Sequence, residues 1–113
     1  MPHCILEYAK PLEAQLNPTK LVQAVYEGAY SSGLFEGPDI KTRAIAYEEY
    51  LTGTNKTAFI HVTVKILSGR TDEQKQKLSS TVIKRLTALK LPDISITVEI
   101  VDMESSSYAK HLA

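Results

Sequence analysis

Hydrophobic and polar residues alternate in four segments of the chain, and two segments between them have the spacing of a helix. The alternating segments read HCILEY, IKTRAIAY, TAFIHVTVKIL and ISITVEIV. Because alternation places successive side chains on opposite faces of a strand, we predict strands over 3–8, 40–47, 57–67 and 94–101. The third has the clearest pattern, with one apolar face formed by Ala58, Ile60, Val62, Val64 and Ile66.

The two predicted helices have recognisable starts. Asn17 can cap the first, and Pro18 fits a first helical turn because its missing N–H is not needed there. That helix ends near Gly33, since glycine tolerates the left-handed conformation that closes a helix. Thr71 and Gln74 form a capping-box pattern at the start of the second, which ends before LPD. The apolar stripes are Leu21, Val22, Val25 and Ala29 in the first helix, and Leu78, Val82, Leu86 and Leu89 in the second.

The order of these elements is strand, helix, strand, twice over. The two helix starts lie about as many residues apart as the two closing strands do. This spacing predicts an internal duplication over about 2–54 and 57–103, within a single domain that spans 1–113. The expected fold class is α+β: a four-stranded mixed sheet with both helices on one face. The other face mixes polar and apolar residues, a composition typical of a subunit interface, so we expect a closed homo-oligomer.

Composition narrows the classes of function. The chain has 113 residues, of which 43% are hydrophobic, enough for one compact domain. Lys plus Arg equals Asp plus Glu at 13 each, so no charged surface for nucleic acid or an acidic membrane is expected. Cys4 is the only cysteine, which excludes an intrachain disulfide and suits a reducing compartment. With no signal peptide or membrane span recognisable, we expect a cytoplasmic protein.

Pro2, directly after Met1, has two interpretations. The commoner reason for a small residue at position 2 is that it permits removal of the initiator methionine. Removal would also free a prolyl amine, and an α-amine is a base with a pKa of about 8 in ordinary peptides. Neighbouring cations and partial burial would lower that pKa toward the working pH, where general base catalysis is efficient. The candidate cations, which would also bind a carboxylate substrate, are Arg70, Arg43 and Lys41.

Each candidate has a structural alternative. Arg70 could be an ordinary surface arginine, but a cation beside a helix start opposes the helix dipole, which favours a function. For Arg43 the two interpretations are balanced. His3 and His61 are interpreted as packed or interface side chains, and no cluster with metal-ligand spacing is present. Side chains expected to be buried or packed rather than catalytic are Cys4, Tyr8, Tyr47 and Tyr50.

Several segments resemble known enzymes. GRTDEQKQKL is close to GRSDEQKETL of 4-oxalocrotonate tautomerase. The segments PHCILE, GLFEGPDIKTR and AFIHVTVKILSGRT resemble PHFIVE, GIFPLAGIRSR and AFVHMTLKIGAGRS of the 5-carboxymethyl-2-hydroxymuconate delta-isomerase family. The resemblance covers nearly the whole chain and identifies it as a member of the tautomerase superfamily, in the isomerase branch.

The resemblance implies a tautomerase-like fold and a homotrimer whose three sheets line a central barrel. It implies catalysis by Pro2 after removal of Met1, with no metal and no organic cofactor. Arg70, Arg43 and Lys41 would bind the substrate. Lys41 departs from the family pattern, which has arginine there, and a lysine does not reproduce the planar fork of a guanidinium. That difference leaves the natural substrate open.

The expected function is therefore that of a cofactor-independent isomerase in aromatic compound catabolism. It would move a proton within an unsaturated 2-hydroxy dicarboxylate similar to 5-carboxymethyl-2-hydroxymuconate. Two alternatives stay open: a general enol–keto tautomerase of arylpyruvate-like acids, and a non-catalytic trimeric binding protein.

Overall fold

The computed structural model describes all 113 residues. Its helices and strands are β1 (His3–Ala9), α1 (Pro18–Ser31), β2 (Lys41–Tyr47), β3 (Ala58–Leu67), α2 (Asp72–Thr87) and β4 (Ile94–Met103). All six predicted elements are confirmed, and β4 extends beyond its predicted end. Two short 3-10 helices, Lys10–Ala14 and Gly37–Asp39, lie between these elements and were not predicted as helices.

Both predicted helix caps form. The side chain of Asn17 accepts a hydrogen bond from the backbone N–H of Thr19 at 2.9 Å, with Pro18 as the first helical residue. At the start of α2, the N–H of Gln74 donates to Thr71 Oγ1 at 3.1 Å, and the N–H of Thr71 donates to Gln74 Oε1 at 2.9 Å. These reciprocal bonds satisfy N–H groups that have no partner inside the helix.

The four strands form one sheet in the order β2-β1-β3-β4. β1 is parallel to β2, β3 is parallel to β4, and the two central strands β1 and β3 are antiparallel. Each helix connects two parallel neighbours, as parallel pairing requires. The predicted α+β class and the mixed four-stranded sheet are confirmed.

The hydrophobic core lies between the sheet and the two helices, which pack against each other on the same side. Every second residue of the central strands faces it, and so do the predicted helix stripes. Its fully buried side chains include Cys4, Leu6, Ile60, Val62, Val64, Ile66, Leu21, Val25, Leu78, Val82 and Leu86. Neither helix has the length and hydropathy needed to span a membrane.

We call the opposite side of the sheet the uncovered face, because no helix packs on it. Its side chains form cross-strand rows, in which residues on neighbouring strands are paired in register. Three rows run in the order β2, β1, β3, β4: Lys41, His3, Lys65, Val101; then Arg43, Ile5, Thr63, Glu99; then Ile45, Glu7, His61, Thr97. Charged and apolar side chains are therefore mixed on this face, as the sequence predicted.

Candidate active site

Pro2 lies at the end of the sheet where β1 begins, with its ring fully buried. Its carbonyl accepts a hydrogen bond from the backbone N–H of Lys41 at 3.0 Å, which extends the β1–β2 pairing by one residue. Alternation along β1 places Pro2 on the same side of the sheet as the buried Cys4. Pairing and burial therefore fix the position of the Pro2 ring.

Arg70 lies in the turn between β3 and α2, at the same end of the sheet. Its Nη2 donates a hydrogen bond to the carbonyl of Leu34 at 2.9 Å, and its guanidinium lies 5.2 Å from the centre of the Phe35 ring. Gly69, with φ of 121°, adopts the conformation that lets the chain turn just before it. Arg70 forms no ion pair with a carboxylate, so most of its five N–H donors are free for a ligand.

Lys41 and Arg43 lie on the uncovered face. Lys41 Nζ donates to the carbonyl of Pro38 at 2.8 Å, and Arg43 Nη1 lies 3.2 Å from His3 Nδ1. The structure therefore brings all four predicted site residues to one end of the sheet. Pro2 lies on the core side of the sheet, whereas Lys41 and Arg43 lie on the uncovered face. None of the three surface cavities of a single chain is lined by any of the four.

His3, to which the sequence assigned no chemistry, links two of these elements. A guanidinium is always protonated, so Arg43 donates to Nδ1 of His3, and Nε2 carries the ring hydrogen. Nε2 then donates to the hydroxyl of Tyr108, 2.8 Å away in the segment that follows β4. Burial and then the positive charges of Arg43, the N-terminus, Lys65 and Lys41 lower the pKa of His3. His3 is therefore held in its neutral form.

Sequence reasoning missed Tyr108, because residues 104–113 have no periodic pattern and no recognisable motif. The segment returns to the end of the sheet instead of leaving it. Ser105 Oγ lies 3.0 Å from Ser68 Oγ. The rings of Tyr108 and His3 pack edge to face, with 6.0 Å between their centres. The carboxyl-terminal segment thus covers part of the uncovered face beside His3.

His61 and Glu7, also on the uncovered face, have polar partners within the chain. His61 bonds to Thr97 Oγ1 through Nδ1 and to Glu99 Oε2 through Nε2, both at 2.7 Å. The hydroxyl of Tyr47 donates to Glu7 Oε2 at 2.7 Å, which raises the pKa of Tyr47. No group of three His, Cys, Asp or Glu side chains is arranged to hold a metal ion.

Cys4 is buried on the core side, away from these polar groups. Burial raises the pKa of its thiol to about 11, so it is protonated at neutral pH. A protonated, inaccessible thiol is not a nucleophile, in agreement with the structural interpretation of this residue.

Comparison with known proteins adds to this geometry. The sequence model of the 5-carboxymethyl-2-hydroxymuconate isomerase family matches residues 2–112. The chain belongs to this family. The match confirms the resemblance read from the sequence and makes the protein a member of an isomerase family. No curated protein sequence matches the chain at a significant level.

Solved structures of similar fold include a 5-carboxymethyl-2-hydroxymuconate isomerase from Deinococcus radiodurans R1. It is 23% identical, with a TM-score of 0.81 over 97% of this chain and 88% of its own. A 5-carboxymethyl-2-hydroxymuconate delta-isomerase is 13% identical, with a TM-score of 0.82 over 100% and 89% of the two chains. A fused 4-OT symmetric trimer is 17% identical, with a TM-score of 0.73 over 96% and 90%. These similarities establish the tautomerase-like fold of this family member.

Proposed function

We propose that this member of the family isomerises an unsaturated 2-hydroxy acid with several carboxylates, similar to 5-carboxymethyl-2-hydroxymuconate, with Pro2 as the base. The strongest support is the place of Pro2, which is fixed at the end of β1 within the region that the family model matches. The proposed active form lacks Met1, because an amide bond to Met1 leaves the Pro2 nitrogen without a basic lone pair.

The proposed reaction needs only one group that accepts and returns a proton. The neutral Pro2 amine takes the proton from the 2-hydroxyl oxygen, and the electron pair moves along the conjugated chain as the carbonyl forms. The protonated amine then gives a proton to a carbon of the former diene, so atoms and charge balance. Because only a proton is moved and no electrons leave the substrate, the amine is sufficient for this step and no redox cofactor is needed.

In this proposal the cations at the same end of the sheet have two roles. Arg70, Arg43 and Lys41 bind the carboxylates of the substrate and stabilise the negative charge that develops on its oxygen. Their positive charge also favours the neutral form of the Pro2 amine, which is the form that can act as a base. The orientation of Arg70 by Leu34 and Phe35 supports this role, since both contacts leave donors on its guanidinium free.

We further propose that the enzyme is a cytoplasmic homotrimer. Two observations support the trimer: the uncovered face mixes apolar and charged side chains, and the similar 4-OT structures include symmetric trimers. In one chain the proposed substrate-binding residues lie on two sides of the sheet. Packing of three sheets against each other brings residues of neighbouring chains together and can thereby complete each site.

The experiment that tests Pro2 pairs intact mass with activity on the same sample. Protein that retains Met1 should fold and be inactive on 5-carboxymethyl-2-hydroxymuconate, and trimming by an aminopeptidase should restore the rate. Pro2→Ala, also trimmed, should keep partial activity because a primary amine remains at the same place. Turnover by fully Met1-retaining protein would contradict the role of Pro2.

The same assay separates the alternative functions. Turnover of arylpyruvate enols but not of the muconate would identify a general enol–keto tautomerase. Trimmed protein that turns over neither class would favour a non-catalytic binding protein.

A further inference from the structure

The first cross-strand row of the uncovered face places a histidine between two lysines. His3 is paired in register with Lys41 on β2 and with Lys65 on β3. Adjacent strands are about 4.8 Å apart, so the two lysines start about 10 Å from each other on the same face. Arg43, in the next row, is bonded to His3. Three permanent cations therefore surround one neutral ring.

These cations have no counter-charge within the chain. The ion pairs of lysine and arginine in the structure involve Lys10, Lys75 and Arg85, and none includes Lys41, Arg43 or Lys65. Lys65 forms no side-chain hydrogen bond either, although it is partly buried. Like charges on one face repel, and an anion bound among them would relieve that repulsion.

The carboxylates nearest along the same face are engaged elsewhere. Glu99, one row away, is bonded to His61, and Glu7, two rows away, accepts from Tyr47. Since both have partners within the chain, the unpaired positive charge of the first row is left for a ligand.

His3 links Arg43 to Tyr108 beside the two lysines. Because Arg43 fixes the hydrogen on Nε2, His3 donates to Tyr108 and adds no charge of its own. The Tyr108 hydroxyl accepts this bond and keeps its own hydrogen free to donate. The row thus offers a bound carboxylate the unpaired ammonium group of Lys65 and a hydroxyl at its edge.

The compound in the family name carries three carboxylates, two from muconate and one on the carboxymethyl arm. Resting on the proposed function, in which Arg70, Arg43 and Lys41 bind the muconate carboxylates, we propose that Lys65 binds the carboxylate of the carboxymethyl arm. Lys65 is then a specificity-determining residue. A substrate without the arm has nothing to place beside Lys65.

The test compares Lys65→Gln with the parent protein, both trimmed of Met1, on 5-carboxymethyl-2-hydroxymuconate and on 2-hydroxymuconate. Losing a hydrogen bond to a charged group corresponds to about a tenfold or larger change, so the ratio of kcat/KM for the two substrates should fall at least that far. The change should come mainly from KM. Lys77→Gln, which removes an exposed lysine of α2, is the matched control and should keep the parent ratio.

An unchanged ratio in Lys65→Gln would overturn the assignment of Lys65. If the mass of the trimer is lost at the same time, Lys65 pairs with a carboxylate of a neighbouring chain instead. Calorimetric titration with both compounds makes the outcome independent of turnover. Parent protein that binds the tricarboxylate but does not isomerise it would contradict the proposed function, and the ratio of Kd values would still test Lys65.

Discussion

The backbone of Gly28 in α1 packs directly against Val82 in α2. A Cβ atom built on Gly28 would lie 2.6 Å from the Cα of Val82 and 2.9 Å from the carbonyl oxygen of Thr81. Both neighbours are backbone atoms, which cannot move aside as a flexible side chain would. The missing side chain at position 28 therefore sets how closely the two helices approach above the sheet.

We predict that Gly28→Ala destabilises the protein. Alanine favours a helix over glycine by about 1 kcal/mol, but overpacking against backbone commonly costs about 1 to 3 kcal/mol, so the clash should outweigh the gain. Urea unfolding followed by circular dichroism measures the difference. Gln23→Ala, on the exposed part of the same helix, is the control and should change stability little. Equal or higher stability of Gly28→Ala would mean that the helices can separate without penalty.

Arg70→Ala should weaken both binding and chemistry. We expect KM to rise about tenfold, since a hydrogen bond to a charged group is worth about 1.5 to 3 kcal/mol, and kcat to fall as well because charge develops in the transition state. Arg70→Lys should recover part of KM, as it restores the charge without the planar fork. Arg85→Ala removes an arginine that pairs with Glu27 between the helices and serves as the control. Unaltered kinetics in Arg70→Ala would exclude it from the site.

From the side chains of the uncovered face we predict that the protein forms a trimer in solution. Light scattering at micromolar concentration should give the mass of three chains, because the apolar side chains of an uncovered sheet face of this size are unfavourable in water. Ile45 is 47% exposed in the single chain and lies on this face. Ile45→Glu should therefore shift the mass toward that of one chain. Tyr30→Glu, at an exposed position of α1, should leave it unchanged, and a monomeric parent protein would contradict the proposed assembly.

Stability should depend on pH through His3. Its pKa is lowered in the folded chain by burial and by Arg43, the N-terminus, Lys65 and Lys41. Below about pH 6.5 the unfolded chain binds a proton on this ring more readily than the folded chain does, so the free energy of unfolding should fall as the pH decreases. Above that pH the His3 ring is neutral in both the folded and the unfolded chain, and the stability of the protein no longer depends on its titration.

Urea unfolding at several pH values checks this expectation. His3→Gln should reduce the loss of stability on acidification, whereas His111→Gln, at an exposed position near the carboxyl terminus, should not. A pH dependence in His3→Gln that parallels the parent protein would place the sensitivity elsewhere.

The fold could be predicted from the sequence because its signals are local. Strict alternation in residues 57–67 and the paired caps at Asn17 and Thr71 each determine an element through neighbours in the sequence. The connections Lys10–Ala14 and Gly37–Asp39 lack such periodicity, and their 3-10 helices were not predicted.

The candidate site was less predictable, because its contacts join residues far apart in the sequence. Arg70 and Arg43 were singled out by residue type and by resemblance to the family. The contact between His3 and Tyr108 joins the two ends of the chain, and no periodic pattern marks it. Lys65 could be placed on the uncovered face, but its lack of a partner became visible only when the neighbouring strands were in register.

The antiparallel pairing of β1 with β3 has a consequence for the continuity of the chain. The two β-α-β units are held together by this pairing and by the packing of α1 on α2, while residues 48–57 are their covalent link. That link is mostly exposed and contains one isolated bridge, between Thr52 and Asn55. It therefore acts mainly as a tether that raises the local concentration of one unit near the other. A protease cut there would leave two fragments that stay associated, with a stability that depends on their concentration.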